Sequence, residues 1–586
     1  MIVAAGMLAA TSCSDFKDYN KTPVDALPEG NLTLWENISQ NEQLQGFASL
    51  IKQAGFDTEL DNTRFYTVWA PKDGTYDLTA YQQLSKEDLL NQFVKNHVAE
   101  YGYQATGALN TRIHTLNEKS YTFEGSNGAY TFDGVNISKA NQPGVNGLMH
   151  IMDGVAPFRY NLYEYLKRGE NIDSLRNHFM KYETTQLDQN ASVKGPMVDG
   201  VQTYIDSVMI TSNSYTRQLN ARLDNEDSTY TFVMPTNKAF LEMYNRVKPY
   251  FNFIQTTKML DVENLTGADA TNSKTVTVNA NYMTDSLVRR IITRNLVYSN
   301  NDGYNKWLIG EGQSLDTIRS TVRNKFSNPD AILKDYMIGE PVEMSNGYAR
   351  IVDSIAFYPW ETYCPELEIP LRNYMVRLFP ENVAQAHRNQ SIPEDSLEVV
   401  FGKEAAAELT NYRYLWIEPG GSRTKPDFFV QLPNVQSTTY NFYVVFLPTS
   451  GRFKWMVPPD GEDRPNLLNF QLNYCDAKGN TAVYNFSKAY ADSLQTGGTL
   501  PAVPTAVNMN TAFMNNPEKT DTVFIGQFKF PVAYNGLGNE YFPTIRVTNP
   551  MRASSSAQTA MYTRDVRIAA IIMRPVELDE YEAKKQ

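Results

Sequence analysis

Apolar positions at the amino end recur at helical spacing. Leu34 and Ile38 open a helix that Leu44, Phe47, Leu50 and Ile51 continue. Tyr66-Thr67-Val68-Trp69-Ala70-Pro71 then alternates as a strand does and stops at its proline. A second helix carries Leu89, Leu90, Phe93 and Val94 up to Asn96-His97-Val98. Short strands are predicted around residues 113–116, 121–123 and 130–132, before a closing run from Asn146-Gly147 to Asp153. The same order then returns. Residues 230–240 supply a strand, a proline and a helix start. Leu287, Ile291 and Ile292 lead to Arg294-Asn295-Leu296-Val297, and Asn346-Gly347 opens a second closing run that reaches Asp353. A repeated order of this kind predicts two copies of one α+β unit, over residues 31–166 and 167–362. The second copy is about 60 residues longer and should carry insertions.

From residue 363 onward the pattern changes to alternating aromatic and β-branched runs. Eight strands are predicted, at 412–417, 428–432, 440–447, 468–474, 482–486, 522–530, 541–547 and 566–573, which suggests a β-sandwich or jelly roll over 363–586. The 36 tyrosines and 29 phenylalanines fit such a strand-rich chain with aromatic contact surfaces. A net charge of −12 has the wrong sign for a phosphate-binding surface, so nucleic acid is excluded as a partner.

Three cysteines in 586 residues cannot build a disulfide framework, and Cys364 and Cys475 are expected as buried thiols. Cys13 has a different setting. An apolar stretch from Ile2 to Ala10, too short to span a bilayer, runs into Ala10-Thr11-Ser12-Cys13. That resembles the lipobox of bacterial lipoproteins, although no Lys or Arg precedes the stretch. The resemblance implies a signal peptide over residues 1–12, lipidation at Cys13 and a flexible tether over 13–30. Ser14-Asp15-Phe16-Lys17-Asp18 further resembles a signal for the outer face of the outer membrane.

The repeated segments resemble the fasciclin domain. Residues 231–240 match its first box, with Val233 in place of a phenylalanine, whereas Lys72-Asp73 and Thr75-Tyr76 depart from it in the first copy. Asn96-His97-Val98 matches the second box, whose histidine is lost in Asn295-Leu296-Val297. The physics of the boxes is structural: a proline stops the strand, Thr236 or Asn237 caps the next helix, and Asn-Gly suits a tight turn. His97, on an apolar helix end, is expected in the core as a satisfied histidine.

No metalloprotease, nucleophile-elbow or phosphate-loop motif is present, and the five histidines have no zinc spacing. The acidic loop 459–464 reads as a solvated turn before it reads as a calcium loop. No catalytic residue, metal or cofactor is therefore expected. Six Asp-Ser-aliphatic triplets, beginning at Asp173, Asp206, Asp285, Asp353, Asp395 and Asp492, resemble acceptors for bacterial O-glycosylation, and Asp and Ser equally start helices. Trp416 and Trp455 are candidate ligand platforms in the carboxy-terminal region, beside Tyr412, Tyr414 and Phe453; tryptophans in such strands more often fill the core. The family resemblance implies a non-catalytic, surface-exposed lipoprotein of the outer membrane. It would assist a SusC-like barrel and a SusD-like lipoprotein in the uptake of glycan or peptide. The alternative is an adhesin that binds host or matrix glycoprotein through its fasciclin domains.

Overall fold

The computed structural model describes residues 30–266, 272–310, 316–372, 376–379, 384–390, 413–421, 423–447, 464–486, 512–517, 520–538, 541–552 and 555–585. The signal segment, Cys13, Tyr412, Phe453, Trp455 and all of the acidic loop except Arg464 lie outside them.

The first sheet has seven strands, in the order Val98–Glu100, Tyr66–Pro71, Gly147–Met152, Val135–Gly144, Ala129–Phe132, Ser120–Ser126 and Leu109–His114. Its centre is a parallel pair, with Tyr66 opposite Gly147 and Pro71 opposite Met152. Parallel strands need a long crossover between them, and here the helices and hairpins of residues 78–144 supply it. A four-stranded sheet in the order Val297–Ser299, Tyr230–Pro235, Gly347–Val352 and Val342–Met344 repeats the arrangement, with Tyr230 opposite Gly347 in parallel.

One device recurs at both centres. Asn146 is buried; its Oδ1 accepts the Leu34 N–H at 2.8 Å, and its Nδ2 donates to the carbonyls of Leu60 and Asn62. Asn346 accepts the Leu162 N–H at 2.9 Å and donates to Leu223 and Asn225. Each asparagine thus ties a helix start and a loop to the end of the central strand. The following glycine does not occupy the middle of the turn, as the Asn-Gly pattern suggested. Gly144 pairs with Gly147, and Met344 with Gly347, so Val145-Asn146 and Ser345-Asn346 make the turns. Glycine is required for close approach: a Cβ there would lie 2.0 Å from the Tyr66 carbonyl oxygen, or 1.9 Å from that of Tyr230.

The helices tied down in this way share a start signal. Thr33 and Glu36 form a capping box on Leu34–Ser39, and Asn161 and Glu164 form one on Leu162–Arg168. The second of these helices runs across the expected junction at 166/167. Between Asp173–Met180 and Ser214–Gln218 the chain forms an arm of two antiparallel pairs, Glu183–Leu187 with Met209–Asn213 and, between them in sequence, the hairpin Val193–Val198 with Val201–Asp206. This arm has no counterpart between Gln45–Ala54 and Asp57–Leu60.

A buried cation joins the two sheets. Lys119, 2% exposed, donates to Glu164 at 2.6 Å, to Glu226 at 2.9 Å and to Ser345 at 3.4 Å. Arg112 reaches the Glu226 carbonyl at 2.7 Å.

Residues 367–575 contain two further six-stranded sheets, both antiparallel. One centres on Val566–Pro575, which pairs with Leu367–Pro370, Tyr414–Pro419 and Thr439–Phe446. The other centres on Thr544–Thr548, between Asp427–Gln431 and Leu467–Cys475. Their apolar faces meet through Ile417, Phe442, Val444 and Ile568 from the first sheet and Phe428, Val430, Phe470 and Ile545 from the second. That core is continuous with the core around Phe232, Val288 and Tyr298, whereas the first sheet keeps two clusters of its own. Cys364 and Cys475 are free, buried thiols.

Candidate functional site

A cleft of about 770 Å³ lies where the Tyr230–Pro235 unit meets the carboxy-terminal sheets. One wall comes from the helices Asn237–Val247 and Ala280–Arg294. Thr236 caps the first by accepting the Ala239 N–H at 3.2 Å, and Asn279 caps the second by accepting the Tyr282 N–H at 3.1 Å. After Val247 the chain tightens into the 3₁₀ turn Lys248–Phe251, where Pro249 fixes the bend. This turn is stitched to the opposite wall. Ser437 donates from its hydroxyl to the Pro249 carbonyl at 2.8 Å, and the Asn252 side chain donates to the Pro531 carbonyl at 2.8 Å. The Ala533 N–H returns to the Asn252 carbonyl, also at 2.8 Å.

Phe251, Phe253 and Phe530 give the cleft an apolar floor. Tyr244 is half-buried above them and donates to Asp285 at 3.2 Å. Burial, with the Asp285 charge behind it, pushes the Tyr244 hydroxyl above its usual range, so the phenol stays protonated and remains a donor. Asp285 also receives Arg289 at 2.8 Å, and the Arg289 guanidinium lies over the Tyr244 ring at 5.4 Å. Lys248 and Lys529 stand exposed on the rim, with no acidic partner among the described residues.

An apolar floor with hydroxyl, amide and ammonium donors around it suits a polar ligand with one hydrophobic face, and the volume is within the usual range for small-molecule pockets. Among the described residues no histidine or cysteine lines the cleft, and the carboxylate of Asp285 is engaged by Tyr244 and Arg289. Among the described residues no cluster of His, Cys, Asp and Glu could hold a metal ion.

Trp416, on Tyr414–Pro419, lies opposite Arg567 and is half-buried. Its indole interacts with the Asp565 carboxyl, which burial pushes up while Arg567 and Trp416 pull it down. The nitrogen end of the ring is therefore committed to the protein. Tyr414 beside it is fully buried. Trp455 and Cys13 lie outside the described residues. The cleft residues were missed by sequence reasoning, because Tyr244 and Phe530 stand far apart along the chain and no local pattern links them.

The buried histidines are structural. His97 accepts the Ala156 N–H at Nε2 (3.0 Å) and so carries its proton on Nδ1, which donates to the Phe93 carbonyl. Burial lowers its pKa to about 4, and does the same for His150 and His178. Of the Asp-Ser-aliphatic triplets, Asp206-Ser207-Val208 sits exposed on the arm, whereas Asp285-Ser286-Leu287 is inside a helix.

No curated protein matches the chain. Among solved structures, it is similar to the FAS1 domain pair from the insect cell adhesion molecule fasciclin I. The identity is 12%, the match covers 56% of this chain and 99% of that one, and the TM-score is 0.20. It is also similar to a Podospora anserina GH26-CBM35 β-(1,4)-mannanase, at 9% identity over 36% of this chain and 27% of that one, with a TM-score of 0.16. Superpositions this weak carry no argument. The family model described as "Fasciclin domain" matches residues 42–156, the stretch that holds the seven-stranded sheet, Asn146 and His97. The chain therefore contains a fasciclin domain.

Proposed function

We propose that this protein is a non-catalytic binding lipoprotein of a bacterial surface, held at the outer membrane by acyl chains on Cys13. It comprises two fasciclin-like units and a carboxy-terminal β-sandwich, and serves as an accessory to a SusC/SusD-type uptake complex for glycans or peptides. The observation that carries the reading is the fasciclin domain at 42–156, which supports an adhesion-like role without catalysis. A second unit, from about Asn161, is supported by the repeated parallel pair, capping box and buried asparagine. Ligand capture is supported by the cleft between that unit and the sandwich. Among the described residues no helix is long and apolar enough to cross a membrane.

The test is a pull-down of the full chain from solubilised outer membrane, with Cys13→Ala as the control. Co-purification of a barrel and a lid lipoprotein with the wild-type chain is the expected result. The control chain should fractionate as soluble protein; its retention in the membrane would remove the lipid anchor from the account. Binding to host or matrix glycoprotein with no barrel partner would favour the adhesin reading. The exposed arm gives that reading its own support, because Val193, Met197, Val201 and Ile205 are each more than half exposed.

A further inference from the structure

A second hollow, of about 370 Å³, opens beside the Val297–Ser299 strand and has a different chemistry from the cleft. Asn220, Ser299, Asp302, Arg319, Thr321 and Arg323 contribute to its lining. Its basic side is built by a short hairpin, Ile318–Arg319 paired with Lys325–Phe326. Ile318 and Phe326 are opposite one another and fully buried, so the neighbouring pair, Arg319 and Lys325, must face outward. Arg319 is held by Asp302, at 2.8 Å through Nε and 2.7 Å through Nη2, and this pair is close to neutral. The Arg319 guanidinium and the Lys325 ammonium each lie 4.7 Å from the centre of the Tyr304 ring. The hydrogen bond to Lys325, followed by the Lys325 charge, holds the Tyr304 hydroxyl below its usual range.

Arg323 stands out. It closes the hairpin turn, with its N–H donating to the Ser320 carbonyl at 2.8 Å, and its φ is +71°. A left-handed backbone is uncommon for a side chain of this size and persists where the surroundings enforce it. Its guanidinium is exposed and has no acidic partner among the described residues. Thr321, next in the lining, has a buried hydroxyl with no partner among the described residues. A chain of net charge −12 therefore presents two cations and one carboxylate in the lining of a hollow with hydroxyl and amide groups, and Lys325 stands across the hairpin from Arg319.

We propose that this hollow binds the carboxylate-bearing ring of an acidic saccharide, with Arg323 as the group that selects the charge. A guanidinium offers two parallel N–H donors that match a carboxylate. The Ser299 hydroxyl and the Asn220 amide suit a ring bearing several hydroxyls, and the small apolar share of the lining disfavours a hydrophobic ligand. The proposal concerns the purified chain and free ligand, so it stands whether or not a barrel and lid are found as partners.

Titration calorimetry on the full chain decides it, with a uronic-acid disaccharide, the methyl ester of that disaccharide, and sodium sulfate as competitor. The acid should bind saturably. The ester, and the acid against Arg323→Gly, should each bind at least about tenfold more weakly, since a charge-assisted pair is lost. Glycine adopts positive φ freely, so the thermal midpoint of Arg323→Gly should be unchanged or higher. Equal binding of acid and ester, unchanged affinity in Arg323→Gly, or no saturable binding of the acid would each overturn the proposal. Sulfate competing as well as the saccharide would also overturn it, leaving a simple anion site.

Discussion

The sheet around Tyr66–Pro71 and the sheet around Tyr230–Pro235 share a frame and differ in what fills and surrounds it. In both, a threonine one residue into the strand is fully buried and bonded: Thr67 to the Tyr101 carbonyl, Thr231 to the Asn300 side chain. In both, a buried asparagine fixes the helix start and the loop. The position of His97 is taken by Leu296, since Val98 lies opposite Val68 and Val297 opposite Phe232. His97 pins the chain at Ala156 by a hydrogen bond, whereas Leu296 is fully buried and gives the same position apolar packing. The frame thus depends on the asparagine and the glycine, which satisfy backbone groups and allow close approach. The histidine is one of two ways to fill a space.

The strongest test of the join between the two sheets is Lys119→Met. It leaves the buried carboxylate of Glu226 without its cation and should cost about 3–5 kcal/mol in denaturant unfolding, because a buried charge loses its partner. Adding Glu226→Gln should restore part of that loss; if it does not, the effect comes from packing against Phe158.

Equivalence of the two centres is tested by Asn146→Ala and Asn346→Ala. Each leaves one buried N–H and two carbonyls unmet, so each should cost about 3 kcal/mol. A cost in one unit only would break the comparison.

The histidine difference is read through pH. Folded His97, with a pKa of about 4 against 6.5 for the free group, stays neutral where the unfolded chain is charged. The unfolded chain therefore binds more protons between pH 6.5 and 4, and stability falls as pH drops through that window. His150 and His178 act in the same direction. In His97→Leu, which copies the second unit, thermal midpoints measured from pH 7 to 5 should fall less steeply than in the wild type. An unchanged slope would show that His97 does not titrate as described.

The smallest effect is expected from the arm. Replacing residues 188–208 with a short turn should change stability by less than about 1 kcal/mol, because the removed strands are largely exposed. Loss of glycoprotein binding with stability retained would assign the arm to adhesion.

Much of the frame was legible in the chain. The strand-proline-helix order, the paired Asn-Gly sites and the core position of His97 all follow from local pattern. The role of the glycines did not, because the carbonyls they approach belong to strands distant in sequence. The Lys119–Glu226 pair, 107 residues apart, left no periodic signal, and neither did the cleft between Tyr244 and Phe530.

Sequence alone marked the central strands, several helix starts and the repeat of their order. These features are set by side-chain periodicity and by hydrogen bonds to groups a few residues away. The hairpin arm between Glu183 and Asn213 and the break between Leu34–Ser39 and Gln45–Ala54 came only from the structure. Tertiary structure alone decided which charges are buried together and that Arg323, with no acidic partner among the described residues, stands beside a polar hollow. It also decided that the second unit shares its core with the carboxy-terminal sheets. Those outcomes depend on which surfaces meet, and a surface contact is fixed by packing across the whole chain rather than by any stretch of it.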